Sequence, residues 1–381
     1  MSKRANSEGC IRQRPDGRWE GIYSCGRKPN GTLIRRSVYA ATQDEVRVKL
    51  RDVLKKLDEG LYIAPDKMTV SGWLNSWFEV YFRPSHREST ATVYDSNIKT
   101  YLIPAFGRGQ LQKLRVEQIQ RFINEQSKDK QPATVRKMIE VLKAALKQAV
   151  INGLIAKNPA DGVTQPKMEQ REVDFLEPDE QKKLMESLPD TDNARCLRFI
   201  LNTGLRVSEL CALRWADVDA DHFTVRQGAV RVKAFDAKED ERKTALSIAA
   251  PKSKAGKREI PIVPATSAIL QTQRKLYAER KLAAGELWQD NGYVFSAESG
   301  AIKDPTNLRR TLTAALKRAG LKHRGLHALR HSFATNLIRA GVDVRTVGEL
   351  IGHSKVSFTL QCYVHSDMGT KRKALEALQL F

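Results

Sequence analysis

Residues 325–340 read GLHALRHSFATNLIRA. The first half is chemically odd for a helix: His327, Arg330 and His331 crowd into five positions beside Leu329, Phe333 and Leu337. At about 100° per residue, the three apolar side chains fall on one side and the three cationic ones on another. A helix built this way holds an anion, ligates a metal or simply faces water. Its neighbours in the sequence decide between these.

Three further stretches carry related chemistry. TGLRVSEL (203–210) places Arg206 just after Thr203-Gly204, where one helix is expected to end and another to begin. Glu209 follows three residues later, on the same side of the new helix, where it can orient the guanidinium. IAAPKSKAGKREIPI (248–262) sets Lys252 and Lys254 around a turn between two strands, at a mobile tip. LIGHSKVSFTLQCYVHS (350–366) supplies His353 and, ten residues on, Tyr363. Singly, each reads as ordinary: a surface ion pair, a solvated lysine, a core tyrosine. The four-residue spacing of His323, His327 and His331 suits a metal face, but an obvious carboxylate partner is lacking.

Composition narrows the partner. The 381 residues carry 65 Lys and Arg against 44 Asp and Glu, a net charge of +21, spread through every third of the chain. A charge of that size along a broad surface points to a nucleic acid. No basic amphipathic anchor and no apolar run of membrane-spanning length stands out, and the N-terminus lacks a signal-peptide core, so no membrane is expected. Five scattered cysteines with no C-x-x-C pair argue against a disulfide framework or a zinc site and for a reducing cytoplasm.

The pattern divides the chain into three domains. In residues 1–63, Asp16-Gly17 and Asn30-Gly31 separate strand-like runs, which predicts a three-stranded antiparallel meander. Thr42 and Glu45 then open a basic helix that runs to about Leu57. Exposed Arg12, Arg14, Arg35 and Arg36 would make this sheet a DNA-reading surface, or an ordinary solvated face. Residues 66–162 show helical spacing only, broken at Pro84, Pro104, Gly107 and Pro132, as in a compact all-α bundle. DGVTQPKMEQREVD (161–174) is a polar, turn-rich linker. Residues 172–381 read as mixed α+β, mainly α, with strand-like segments at HFTVRQGAVRV, TALSIAAPK and REIPIV.

Taken in order, TGLRVSEL, the lysine turn, HALRH and LIGHS…LQCYVH resemble the tyrosine recombinase (phage integrase) family over the whole region after the linker. The resemblance implies a catalytic domain at 172–381, a core-site DNA-binding bundle at 66–162 and an arm-type DNA-binding domain at 1–63. It implies the catalytic set Arg206, Lys252, His327, Arg330, His353 and Tyr363, with no metal and no cofactor. One departure falls at the lysine, which usually precedes threonine: here Lys252 precedes Ser253, and Lys254 lies two residues on.

The implied chemistry suits these residue types. Attack on a phosphodiester concentrates negative charge on the non-bridging oxygens, and two guanidinium groups can grip them where other enzymes use metal ions. His327 and His353 would add hydrogen bonds. Tyr363 would be the nucleophile, helped by His327, since a free phenol with a pKa of about 10 attacks poorly. Lys252 would protonate the departing 5′-oxygen. The covalent 3′-phosphotyrosine conserves the bond energy, so no ATP is needed, and no Walker-type phosphate loop is present.

The resemblance further implies double-stranded DNA as partner, a homotetramer on synapsed DNA, and an excisionase or DNA-bending accessory protein. The arm-type domain favours integration and excision of a mobile element. Ala374, Leu375, Leu378 and Leu380 form a short amphipathic set that packs in cis or on a neighbour. The competing readings are a non-catalytic DNA-binding regulator, a type IB topoisomerase-like strand transferase and a His-ligated metalloenzyme.

Overall fold

The computed structural model describes residues 9–27, 30–58, 66–168, 174–237, 243–251 and 254–353. Lys252, Tyr363 and the C-terminal set from Ala374 to Leu380 lie outside them. The chain divides into two compact units, residues 1–168 and 169–381. The fold is mainly helical with small antiparallel sheets, as expected.

The first unit opens with the three-stranded meander: β1 (Cys10–Gln13), β2 (Trp19–Arg27) and β3 (Leu33–Ala40) pair in sequence order. The register runs from Cys10 opposite Ile22 and from Trp19 opposite Ala40. Helix α1 (Gln43–Asp58) starts where the Thr42 hydroxyl accepts the Glu45 amide at 3.3 Å, and it buries Val46 and Leu50. The expected row of exposed arginines is only partly present. Arg14 and Arg36 are half-buried, and exposed Arg12 donates to Glu20 at 2.8 Å.

The helical bundle comprises α2 (Val70–Trp77), α3 (Glu88–Asn97), α4 (Ile103–Phe106), α5 (Val116–Asp129) and α6 (Pro132–Ile151). Trp73, Leu74, Trp77, Ile98, Met138 and Leu142 fill its centre. Pro132 starts a helix, as its fixed φ favours at a first turn. Pro104 does not act as the expected break. It sits in the first turn of α4, directly after a π-helical turn (Ile98–Leu102), so the missing N–H leaves no gap.

The second unit contains α7 (Pro178–Ser187), α8 (Asp192–Thr203), α9 (Val207–Ala212), β4 (His222–Val225), β5 (Gly228–Lys233), β6 (Thr244–Ala249) and β7 (Arg258–Pro261). It continues with α10 (Pro264–Ala284), α11 (Pro305–Arg318), α12 (His327–Arg339) and α13 (Val344–Ile351). Phe199, Phe223, Phe295, Leu312 and Leu329 belong to its main core. The run HFTVRQGAVRV does not make one strand. It splits into β4, which pairs with β7, and β5, which pairs with β6. The lysine turn therefore joins strands of two different ladders, and β6 and β7 are not a hairpin. No described helix is long and apolar enough to cross a membrane.

Candidate active site

Two helix ends meet at α12. Helix α8 stops at Gly204, which takes φ +66 and donates its amide to the Ile200 carbonyl at 2.8 Å, a left-handed cap. A side chain there would also collide with Phe333, whose ring lies 2.4 Å from the place a Cβ would occupy. Helix α13 stops at Gly352, φ +67, in a Schellman turn: Gly352 N–H bonds the Glu349 carbonyl and His353 N–H bonds the Gly348 carbonyl. That turn carries His353 back across the end of its own helix.

The arginines fill the space between these ends. Arg330 is only 2% exposed. It donates through Nη1 to the Gly204 carbonyl at 2.8 Å and through Nη2 to the Ile351 carbonyl. Both acceptors lie at helix C-termini, where the aligned peptide dipoles favour a cation. Arg206 caps α9: its amide meets Glu209 Oε2 at 2.9 Å, its Nη1 meets Glu209 Oε1 at 2.7 Å, and its Nη2 reaches the Gly352 carbonyl at 3.4 Å. A third arginine, Arg258 of β7, donates to both oxygens of the same carboxylate, at 2.9 and 3.2 Å. Arg330 Nη1 stands 4.0 Å from that carboxylate.

Three guanidinium groups thus share Glu209, leaving a net charge of +2. Burial pushes the Glu209 carboxyl up, but bonding and charge from Arg258 and then Arg206 overcome it and hold the pKa near 2. Glu209 therefore stays ionised and keeps Arg206 aimed.

The histidine pKa values fall as well, but for an imidazole that fall favours the uncharged form. Burial lowers the pKa of His353 to about 4, reinforced by Arg330 and Arg206. Burial takes His331 to about 4, with His327 and Arg330 adding to it and Asp174 opposing. His327 is also lowered, by burial and then by Arg330 and Arg206. Near neutral pH His331 and His353 are uncharged, each offering one N–H and one lone pair.

The structure therefore gathers Arg206, His327, Arg330 and His353 into one cationic cluster. Lys252 and Tyr363 lie outside the described residues. The polar side of α12 differs from its sequence reading, because Arg330 points inward to the two helix ends and His331 is half-buried. The apolar side differs too: Leu329 joins the main core, while Phe333 and Leu337 flank a separate cluster of Ala334, Val347 and Ile351. His323 precedes α12, so the three histidines share no helical face, and no metal-holding group of three or more ligands is found among the described residues.

Arg258 was not singled out by sequence reasoning, although a signal existed. In REIP the residues alternate buried and exposed, which puts Arg258 on the same inward face as Ile260. A charged residue at an inward strand position needs a buried partner.

Three guanidinium groups around one carboxylate leave a net positive charge beside His327 and His353, an arrangement chemically suited to an anion. Residues 174–370 match the phage integrase family, and residues 69–127 match the phage integrase N-terminal SAM-like domain. The chain is 31% identical over 367 residues to a "tyrosine recombinase XerC-like" protein of Caldanaerobacter subterraneus subsp. tengcongensis, covering 93% of each. It is 25% identical to an integrase of Streptomyces ambofaciens, over 91% of this chain and 89% of that one. In fold it is similar to the Tn1549 transposon integrase, solved with a circular intermediate DNA, at TM-score 0.65 and 20% identity, over 82% of this chain and 99% of that one. It is likewise similar to lambda integrase, solved as a tetramer on a Holliday junction, at TM-score 0.61 and 17% identity, over 95% and 96% of the two chains.

Proposed function

Because this chain belongs to the phage integrase family and is a tyrosine site-specific recombinase, we propose that the cluster built on Glu209 holds the scissile phosphate of double-stranded DNA. Arg206 and Arg330 grip the non-bridging oxygens and meet the charge that grows on them during attack. His327 and His353 add hydrogen bonds. The observation that carries this reading is the shared carboxylate: Glu209, ionised by Arg258 and Arg206, aims Arg206 while Arg330 is fixed by two helix ends.

The phenol oxygen of Tyr363 attacks phosphorus and gives its proton to His327, whose pKa is lowered by burial and then by Arg330 and Arg206, which disfavours the imidazolium before attack. The P–O bond to the 5′-carbon breaks, and that oxygen takes a proton from Lys252. The products are a 3′-phosphotyrosyl bond and a free 5′-hydroxyl. A 5′-hydroxyl from a second duplex reverses the step and joins new strands without ATP.

Residues 1–63 read an arm-type site, residues 66–162 a core-type site, and residues 172–381 perform strand transfer. Recombination of two duplexes needs four such sites, so the working form is a homotetramer on synapsed DNA in the cytoplasm, assisted by an excision or DNA-bending protein. The task is integration and excision of a mobile element. Family membership and the DNA-bound integrases of similar fold support this reading.

Covalent trapping tests it. On a nicked suicide duplex, wild-type protein gives a DNA adduct that survives denaturing gels, and Tyr363→Phe binds the duplex but gives none. An undiminished adduct from Tyr363→Phe would overturn the nucleophile. Lys252→Ala should lose cleavage of an ordinary 5′-oxygen leaving group but regain it with a 5′-bridging sulfur, which needs no proton; Lys254→Ala showing that rescue instead would move the acid to Lys254.

A further inference from the structure

The reaction scheme uses Arg258 only to keep Glu209 ionised, yet its guanidinium joins three separate pieces of the site. It grips Glu209 of α9 at 2.9 and 3.2 Å. Its Nε donates to the Leu350 carbonyl near the end of α13 at 2.6 Å. Its Nη1 reaches back 3.3 Å to Gly256, in the 3₁₀ turn Lys254–Gly256 that follows Lys252. Gly352 completes the contact: a Cβ there would lie 2.9 Å from Arg258 Nη1 and 3.0 Å from the Ala255 carbonyl. The side chain is only 6% exposed.

Stability alone is a poor reason for such a residue. A buried ion pair often contributes no more than well-packed apolar side chains of similar volume. What an arginine adds is geometry, because a rigid fork of N–H donors can satisfy two carboxylate oxygens and two carbonyls together. Its partners here are the brace of Arg206, the helix end that leads to His353 and the turn next to Lys252.

We infer that Arg258 is a positioning residue for strand cleavage, locking the turn after Lys252, the α13 end before His353 and the Glu209 brace of Arg206 into one arrangement. This rests on the phosphate-site reading above. The proton donor and the phosphate clamp come from chain segments that are not ladder partners, so without a shared anchor each could settle independently. A misplacement of about 1 Å at such a site costs on the order of a hundredfold in rate.

The test uses full-length Arg258→Lys, Arg258→Met and Arg258→Met/Glu209→Gln proteins on the suicide duplex that wild type cleaves. Single-turnover cleavage, duplex affinity and thermal midpoint are read for each. Arg258→Lys keeps the charge but not the fork, so it should bind the duplex as wild type does, lose a few degrees of thermal midpoint because a carbonyl is left unsatisfied, and, at a temperature where it stays folded, cleave about a hundredfold more slowly. In Arg258→Met the Glu209 carboxyl loses its main partner. The remaining Arg206 and Arg330 hold it less well against burial, so the acid limb of the pH–rate profile moves to higher pH. His327, His331 and His353 also face this cluster, but they titrate in all the proteins. The Glu209→Gln double variant has no carboxyl to titrate and should lose the shift.

Wild-type rate and an unmoved acid limb in Arg258→Lys and Arg258→Met would overturn the inference while leaving the phosphate site standing. So would a rate loss matched by equal losses of affinity and thermal midpoint, which marks a purely structural role. Failure of wild type to cleave would instead count against the phosphate-site reading itself, and this inference would fall with it.

Discussion

Arg330 Nη1 donates to the Gly204 carbonyl at 2.8 Å, a bond that spans 126 residues of chain. Its other terminal nitrogen bonds the Ile351 carbonyl, so one buried guanidinium closes the C-terminal ends of α8 and α13 together. The same side chain is the second arm of the proposed phosphate clamp. On that proposal fold and function share this atom group, and substitutions there should report on both.

Arg330→Lys provides the first check. One ammonium cannot reach both carbonyls with the fork geometry, so a helix end is left unsatisfied at a cost of about 1–3 kcal/mol. Urea unfolding should show that loss, and cleavage of the suicide duplex should fall beyond detection. A variant with unchanged urea midpoint would mean the carbonyl bonds contribute nothing.

Gly204→Ala isolates the cap from the charge. Alanine at φ +66 is strained by about 1–2 kcal/mol, and its Cβ would meet the Phe333 ring at 2.4 Å. Phe333 or the turn must move, adding about 1 kcal/mol or more. The thermal midpoint of the unit should drop by several degrees, measured by calorimetry. A paired Phe333→Leu change should recover the collision part but not the strain.

Acid should weaken the DNA-free protein in two separate windows. Unfolded, His331 and His353 protonate near pH 6.5, whereas folded they protonate only near 4. The unfolded chain therefore binds more protons, and stability falls as pH drops from about 6.5 towards 4. At pH 5 the loss should be on the order of 2 kcal/mol, after discounting for partial exposure. Glu209, held near 2, is stabilising above its ordinary carboxyl range and loses that contribution only below it. Chemical unfolding at pH 7.5 and pH 5 is the measurement, and a His331→Asn/His353→Asn protein should lose most of the difference.

Asp192 offers a control away from the site. It accepts from Lys303 at 2.7 Å and Gln273 at 2.6 Å and pairs with Arg280 at 3.1 Å, with Lys303 and Arg280 largely buried. Asp192→Ala strands those cations and should cost about 3–5 kcal/mol, while Lys303→Met with Asp192→Asn should recover part of it. Cleavage per folded molecule should be unaltered in both. A stability loss below 1 kcal/mol for Asp192→Ala would show that the cations find water instead.

What could be read along the chain was whatever neighbouring residues settle among themselves. Helical and strand periods, turn glycines at 17, 31 and 204, the Thr42 cap and the Arg206–Glu209 spacing depend on contacts a few residues apart, so local order exposes them. The family resemblance was also visible, because its boxes are short contiguous strings. Tertiary structure decided which strands pair: β4 with β7 and β5 with β6, across spans that no local pattern encodes. It also decided that Arg330 turns inward to two helix ends and that Arg258 joins Glu209. Backbone carbonyls are identical at every position. Which one an arginine satisfies is set by where distant segments pack, and that choice exists only in the folded chain.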